Sequence, residues 1–332
     1  MTSSFNALSF DALCQRLCQR KKTLIIYHIR SDADAVGSAF ALKELFRIMG
    51  IPAYCLCSDE MPERLQFLAD GTQGSVLFCE EMMPDYEQVI SVDSASPAQL
   101  GELFIRLRKD VDIMIDHHIS GTPYADNYID PKAAATGEII YAIAKRLLEM
   151  GEIEAIPPRV INCVYAAISS DTGGFRYANT TPETLRMAAE LLEAGVDGAE
   201  MNRLLFDSKS LKQVRAEGEA IKRLRTYADG RVAGCVLPYS VKAELELEDE
   251  HLGTLIDIPR SVFGAEVAFV IKQESEDGSF RVSMRSSNDI DVAEICSLFG
   301  GGGHKRAAGC TIMAKSIEEA EKKLLDEIYK NL

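Results

Sequence analysis

Leu24-Ile25-Ile26-Tyr27-His28-Ile29-Arg30-Ser31-Asp32-Ala33-Asp34 runs from four apolar residues straight into a histidine and two aspartates, and Gly37 and Ser38 lie in the helical stretch that follows. A short apolar run of this kind reads as a buried strand, and a strand leading through polar chemistry into a helix is the repeating unit of an α/β sheet. Ligands of open α/β sheets bind at the carboxyl ends of the strands, where His28, Asp32 and Asp34 stand. The arrangement recurs. Val89-Ile90-Ser91-Val92 leads to Asp93, and Asp112-Ile113-Met114-Ile115 leads to Asp116-His117-His118.

Working outward, the apolar runs predict strands at 23–27, 88–92 and 111–115, and helical spacing predicts helices at 35–49, 97–107, 137–150, 158–169 and 182–194. From 195 to about 226 the chain turns helical, charged and poor in strands, as a connector does. Beyond it, strands are expected at 232–237, 265–272, 280–285 and 309–313, and a helix at 316–329. With 332 residues the chain suits two domains of ordinary size. The expected division is 1–195, a helical linker 196–226, and a smaller α/β domain 227–332.

Hydrophobic residues make up 47% and charged residues 26%, the balance of a water-soluble globular protein. No apolar run approaches a membrane span, and residues 1–22 lack the apolar core of a signal peptide, so a cytoplasmic protein without membrane partners is expected. The nine cysteines include no C-x-x-C pair. Cys14 with Cys18 and Cys55 with Cys57 read as reduced thiols sooner than as a zinc site.

The formal charge of -15 argues against gripping long nucleic acid through many phosphates. One stretch, 203–231, sets eight Lys or Arg residues against Asp207, Glu217, Glu219 and Asp229. A solvated helix face is its simpler explanation.

Any one acidic strand end could be a helix N-cap, but three with the same chemistry are harder to dismiss. Four of the five histidines, His28, His117, His118 and His304, fall in these motifs or in the glycine-rich run described next. Carboxylates with imidazoles and no thiolate suit Mn²⁺ or Mg²⁺, with Fe²⁺, Co²⁺ or Zn²⁺ as substitutes. Asp32, Asp34, Asp93 and Asp171 carry four negative charges that two divalent cations would neutralise. Asp171 lies in Ser169-Ser170-Asp171-Thr172-Gly173-Gly174-Phe175-Arg176-Tyr177; alone it reads as a helix end broken by glycines. Gly300-Gly301-Gly302-Gly303-His304-Lys305-Arg306 offers backbone N–H groups that an anion could approach closely, with a flexible turn as the bland alternative.

Taken in order, His28-x-x-x-Asp32-x-Asp34, Asp93, Asp116-His117-His118, Asp171 and the Gly-Gly-Gly-His run resemble the DHH phosphoesterase family with its DHHA-type C-terminal domain, over nearly the whole chain. The run from Asp171 to Tyr177 with Asn179-Thr180-Thr181 is most similar to the nano-RNase and pAp phosphatase branch; Ser31 stands where that branch often has proline.

The resemblance implies a parallel-sheet catalytic domain holding two Mn²⁺ ions, joined by the helical linker to a smaller α/β domain that closes a substrate cleft. One ion would be held by His28, Asp32 and Asp93, the other by Asp34, Asp93, His117 and Asp171. His118 would face the substrate phosphate, with Asp116 orienting the ligands. Arg285, Gly302, Gly303 and His304 would hold the nucleotide end. The implied reaction is hydrolysis, by metal activation of water, of short RNA oligonucleotides and of 3′-phosphoadenosine 5′-phosphate (pAp). Cyclic or linear diadenylates are the alternative substrates, pyrophosphate or polyphosphate are disfavoured by the nucleotide-binding run, and a non-catalytic nucleotide binder is the reading from another class. A homodimer is compatible with all of these.

Overall fold

The computed structural model describes residues 5–69, 84–118, 121–287 and 289–332, and their side chains except those of Glu250 and His304. Two compact units divide it, 1–208 and 209–332. Among the described residues no helix is long and apolar enough to cross a membrane.

In the first unit, α1 (Phe10–Leu17) precedes β1 (Thr23–Ile26), α2 (Ala33–Ile48) and β2 (Ala53–Leu56). β3 (Gln88–Val92), α3 (Glu102–Arg106), β4 (Ile113–Asp116) and β5 (Asp126–Ile129) follow, then α4 (Thr136–Glu149), α5 (Pro158–Asp171), α6 (Pro182–Glu193) and α7 (Gly198–Asn202). The five strands are parallel in the order β2-β1-β3-β4-β5. Ile25, Ile90, Ile113 and Ile115 pack on one face with α2, α4 and α5. Leu24, Ile26, Val89 and Met114 pack on the other with Leu100, Leu103 and Tyr124. Burial on both faces is why these strands read as continuous apolar runs. β2 and β5, outermost in that order and only partly buried, lack such runs and escape the sequence pattern.

The strand order reverses between β1 and β3, where an open parallel sheet leaves a crevice at its carboxyl edge. α2 and α5 bound that crevice and lie very close together. A Cβ built on Gly37 would sit 2.5 Å from the Cys163 carbonyl oxygen, so only glycine permits this crossing. The helix expected over 97–107 is in fact two short pieces, a 3₁₀ turn Pro97–Leu100 and α3, separated at Gly101, whose φ of 61° ends the first.

The second unit holds α8 (Leu211–Lys222), β6 (Arg225–Tyr227), β7 (Val232–Leu237), α9 (Tyr239–Glu244), α10 (Asp257–Arg260), β8 (Val267–Gln273), β9 (Ser279–Ser286), α11 (Val292–Ser297), β10 (Gly302–His304), β11 (Ala307–Met313) and α12 (Ile317–Lys330). Its sheet runs β10-β11-β9-β8-β7-β6, with only β7 and β8 parallel. Phe269, Val282, Met284 and Ile312 form one core with Ile295 of α11 and Leu324 of α12. Val270 and Cys235 form another with Ala216 of α8 and Leu255.

Candidate metal centre

Three neighbouring parallel strands bring their carboxyl ends together. His28 lies two residues beyond β1, Asp93 is the residue after β3, and Asp116 ends β4 and hands on to His117 and His118. α2 contributes Asp32 at its N-cap and Asp34 in its first turn; Asp171 is the last residue of α5. Asp93 sits at φ 53°, in the left-handed region that aspartate tolerates better than most residues, at a cost of about 1 kcal/mol or more.

The gathered atoms form overlapping donor sets. His28 Nε2 is 3.5 Å from Asp93 Oδ2 and 3.7 Å from Asp32 Oδ1. His117 Nε2 is 3.3 Å from Asp171 Oδ2, 3.7 Å from Asp93 Oδ1 and 3.8 Å from Asp34 Oδ2. Among the described residues three groups could hold a cation: His28, Asp32 and Asp93; Asp34, His117 and Asp171; and Asp93, His117 and His118, so that Asp93 reaches all three histidines. No thiolate takes part in these groups; Cys14 and Cys57 are buried free thiols elsewhere.

Hydrogen bonds orient the rings. The Nδ1 of His28 lies 2.9 Å from the Ile29 carbonyl oxygen, and that of His117 3.2 Å from the Ala133 carbonyl oxygen. A carbonyl accepts only, so each Nδ1 carries a proton and each Nε2 is left facing the carboxylates. The His117 Nε2 is buried with no hydrogen-bond partner, which leaves an acceptor costing about 1–3 kcal/mol among further acceptors. A divalent cation resolves this mismatch and a proton only partly does. The donor set therefore fits a metal.

His118 differs. Its Nδ1 donates to Asp116 Oδ1 at 2.7 Å, and Asp116 also accepts from the His117 and His118 backbone N–H groups. Asp116 thus holds one ring of the Asp-His-His triplet in a fixed tautomer. Asp32 likewise serves as the N-cap of α2, accepting from the N–H groups of Asp34 and Ala35 with the same Oδ1 that faces His28. The capping role and the candidate ligand role coexist.

Three contributors carry no motif and are not recognisable from sequence. Thr136 and Gly137, which open α4, donate their backbone N–H groups to Asp34 at 2.7 and 2.9 Å, and the helix dipole reinforces them. Ser38 Oγ donates to Asp34 Oδ1, and Thr136 Oγ1 donates to Asp93 Oδ1 at 2.9 Å. The only available signal was a Thr-Gly pair at a helix start, which many helices share.

Without cations this centre is electrostatically strained. Burial, and then the charges of Asp93, Asp171 and Asp32, push Asp34 well above the usual carboxylate range. Burial, Asp32 and Asp93 do the same to Asp171. Burial opposes the charged form of His28, yet the hydrogen bonds and charges of Asp32 and Asp93 outweigh it and push the imidazole up to about 12. Burial also disfavours charge on Asp32, but His28, the Ala35 N–H and Arg64 outweigh it and hold this carboxyl low.

A measurable linkage follows. Groups whose pKa is raised on folding stabilise the protein below their unfolded values and lose that contribution as pH rises through the folded ones. Asp34, Asp171 and His28 all have this sign, so the metal-free protein is expected to lose thermal stability from about pH 4 upward. Loading Mn²⁺ should displace protons, and its affinity should rise with pH. Calorimetric titrations at pH 7 in two buffers of different ionisation enthalpy read the proton count directly, and identical apparent enthalpies would refute the linkage.

Arg285, Gly302, Gly303 and His304 belong to the second unit. Arg285 lies on β9 with its Nη1 donating to the Met284 carbonyl oxygen, and its register partners are Ala307 and Ala268. The glycine run is not a loose loop. The N–H groups of Gly300 and Gly301 bond back to Ser297 and Cys296 and close α11, while 302–304 pair with β11 as a hairpin. Gly303, at φ 146°, cannot carry a Cβ, which would lie 2.5 Å from the Ala307 carbonyl oxygen. Two of the four N–H groups read from sequence as available to an anion are therefore engaged. The His304 side chain lies outside the described residues.

Most of the basic residues of 203–231 are paired with acids. Arg203 pairs with Glu200, Lys209 with Glu217, Lys222 and Arg223 with Glu219, Arg225 with Glu321 and Arg231 with Glu266. Several of these acids come from outside the window, so its local charge excess is not a nucleic-acid groove.

The model of the DHH family, N-terminal domain, matches residues 22–168, and that of the DHHA1 domain matches 232–331. The bifunctional oligoribonuclease and PAP phosphatase NrnA of Thermus thermophilus is 31% identical over 310 residues, covering 93% of this chain and 89% of the relative. A probable bifunctional oligoribonuclease and PAP phosphatase NrnA of Streptococcus mutans is 28% identical over 320 residues, covering 93% and 94%. The crystal structure of an exopolyphosphatase-related protein from Bacteroides fragilis shares the fold, with a TM-score of 0.87 at 20% identity over 97% of this chain and 95% of that one. With two matched domains in family order and the family's histidines and aspartates gathered at one sheet edge, the chain belongs to the DHH family of phosphoesterases.

Proposed function

We propose that this enzyme hydrolyses oligoribonucleotides of a few residues to mononucleotides, and pAp to AMP, in the cytoplasm. The observation that carries the reading is the cluster of overlapping donor groups around Asp93 and His117, with the orphaned His117 Nε2 facing three carboxylates, in a chain similar to relatives named for these two activities. His28, Asp32 and Asp93 would hold one divalent cation, and Asp34, Asp93, His117 and Asp171 the other. Mixed imidazole and carboxylate donors without thiolate accept Mn²⁺, and the same set could take Mg²⁺ or Co²⁺. When bound, the cations acidify water and offset the charge of the phosphoryl oxygens.

The chain's own residues do the rest. Thr136, Gly137 and Ser38 fix the carboxylates of Asp34 and Asp93 through hydrogen bonds, so that little reorganisation accompanies the reaction. Burial opposes protonation of His118, but its bond to Asp116 and the charges of Asp93, Asp116 and Asp171 push it up to about 9. With its Nδ1 held by Asp116, His118 would donate a hydrogen bond to the substrate phosphate, and Asp116 positions it. Arg285 and the backbone of Gly302 and Gly303 hold the nucleotide, with His304.

Release of mononucleotide from di- to pentaribonucleotides, AMP from pAp, and product from cyclic and linear diadenylate, each with Mn²⁺ and with chelator, tests the assignment. Short RNA and pAp are expected to turn over in Mn²⁺ alone. Faster turnover of a diadenylate than of either would overturn it.

Arg285 separates binding from chemistry. Arg285→Ala is expected to lower kcat/KM on short RNA about ten- to hundredfold, the value of a charge-assisted phosphate contact. Its effect on bis-p-nitrophenyl phosphate should be much smaller. An equal loss on both substrates would place Arg285 in the chemistry itself.

A further inference from the structure

At the end of the first sheet opposite the metal centre lies an open cleft of about 230 Å³. The donors of that centre follow the carboxyl ends of β1, β3 and β4, whereas the cleft reaches Ala53, the first residue of β2, which pairs with Thr23 at the start of β1. α2 supplies one wall. Phe40, Lys43, Glu44 and Arg47 stand at i, i+3, i+4 and i+7 and so share a face of that helix. Ile51, Pro52 and Ala53 supply a second wall as the chain turns at Gly50 into β2, and Arg159, in the first turn of α5, supplies the third.

The floor is apolar and the rim cationic. Phe40 and Ile51 are 1% and 3% exposed, so the side chains beneath the cleft belong to the core. Lys43 Nζ lies 5.3 Å and Arg159 Cζ 6.0 Å from the centroid of the Phe40 ring, within reach of its negative face. Arg159 is pinned in place. Its Nη2 donates to the Leu68 carbonyl oxygen at 2.6 Å, and among the described residues no carboxylate pairs with it. A carbonyl offsets no formal charge, so this guanidinium keeps its charge and its remaining donors.

Glu44 is the one acid among the residues that line the cleft. It is already engaged. Arg47 Nε and Nη2 donate to its Oε2 and Oε1, both at 2.7 Å, in the bidentate geometry that suits a guanidinium and a planar anion. The glutamate side chain is 11% exposed and that of Arg47 67%. Part of one guanidinium thus holds a nearly buried carboxylate here, and Arg47 Nη1 and Arg159 remain for a second anion.

We propose that this cleft binds a small phosphate monoester, its phosphoryl group held between Arg47 and Arg159 and its short apolar body laid over Ile51, Pro52 and Ala53. Two guanidinium forks on separate helices match a dianion with three terminal oxygens better than a single carboxylate. The volume suits a body of one ring or a few carbons and not a nucleic-acid strand. A net charge of -15 repels anions at a distance, so binding here comes from these local contacts and not from the field of the whole protein. The site uses no group of the metal centre and stands apart from the activity proposed above.

Phenyl phosphate is the probe, titrated calorimetrically into the full chain in chelator beside inorganic phosphate and benzoate. Saturable binding of phenyl phosphate with a Kd of about 1 mM or tighter is expected, and each control should bind at least about fivefold more weakly. Arg159→Gln is expected to weaken phenyl phosphate about tenfold. Glu44→Gln should tighten it about three- to tenfold, because it releases donors of Arg47 and removes a negative charge beside the phosphate. A gain of that kind does not come from a misfolded variant. Unchanged affinity in both variants would place the ligand elsewhere, the metal centre included, and overturn the proposal. Weaker binding by Glu44→Gln, a control that binds as tightly as phenyl phosphate, or no saturation by about 10 mM would overturn it as well.

Discussion

Asp93→Asn is expected to lower turnover at least about a thousandfold, some 4 kcal/mol of barrier, while the protein stays folded. Asp93 alone faces both His28 and His117, so its loss removes a donor from each set. Asparagine is the informative replacement. It keeps the shape, tolerates the left-handed backbone at φ 53°, and can still accept from Thr136 Oγ1. Asp93→Ala should be equally inactive but less stable, by about 1–2 kcal/mol of backbone strain in addition to the lost bond. In chelator the sign should reverse for Asp93→Asn, because one of the charges that raise Asp34 and Asp171 is gone, and its melting temperature should equal or exceed that of wild type. Retention of more than about a tenth of wild-type turnover by Asp93→Asn would exclude a shared ligand role.

His118→Asn is expected to cost about a hundred- to a thousandfold in kcat, the usual span for a positioned acid or hydrogen-bond donor. The pH profile distinguishes this from a packing defect. Asp116 and the neighbouring carboxylates push His118 up to about 9 without metal, and bound cations would lower that value, so wild-type kcat should decline as pH rises on a limb at or below about 9. The limb should be missing from His118→Asn. In Asp116→Asn, which keeps the ring but loses the charge opposite Nδ1, it should move to lower pH. An unchanged alkaline limb in His118→Asn would assign it to another group and leave His118 without a role in proton supply.

The position of the centre was legible in the chain because its signals are local. Apolar runs at 23–27 and 88–92 are strands, since a strand buried on both faces needs apolar residues throughout, and the chemistry at their ends faces the crevice of an open parallel sheet. Asp171 was harder to read. Its segment does end a helix, and the sequence cannot distinguish a capping break from a ligand until α5 is laid against α2 over Gly37.

Other features needed the third dimension because their causes lie far apart along the chain. Asp34 is held by Thr136 and Gly137, about a hundred residues away, and only their backbone amides take part, so no residue type marks them. The glycine run read as an anion cradle is divided between closing α11, at Gly300 and Gly301, and pairing with β11, at 302–304. The basic stretch 203–231 finds acids at Glu200, Glu266 and Glu321, outside any window that would show them. Sequence by itself determined which chemistry this protein carries and on which strand ends, because periodicity and residue type encode burial and ligand character locally. Tertiary structure alone decided which donor atoms come together, which backbone amides hold them and which cations pair with distant acids, because those depend on packing distances that no spacing in one dimension specifies.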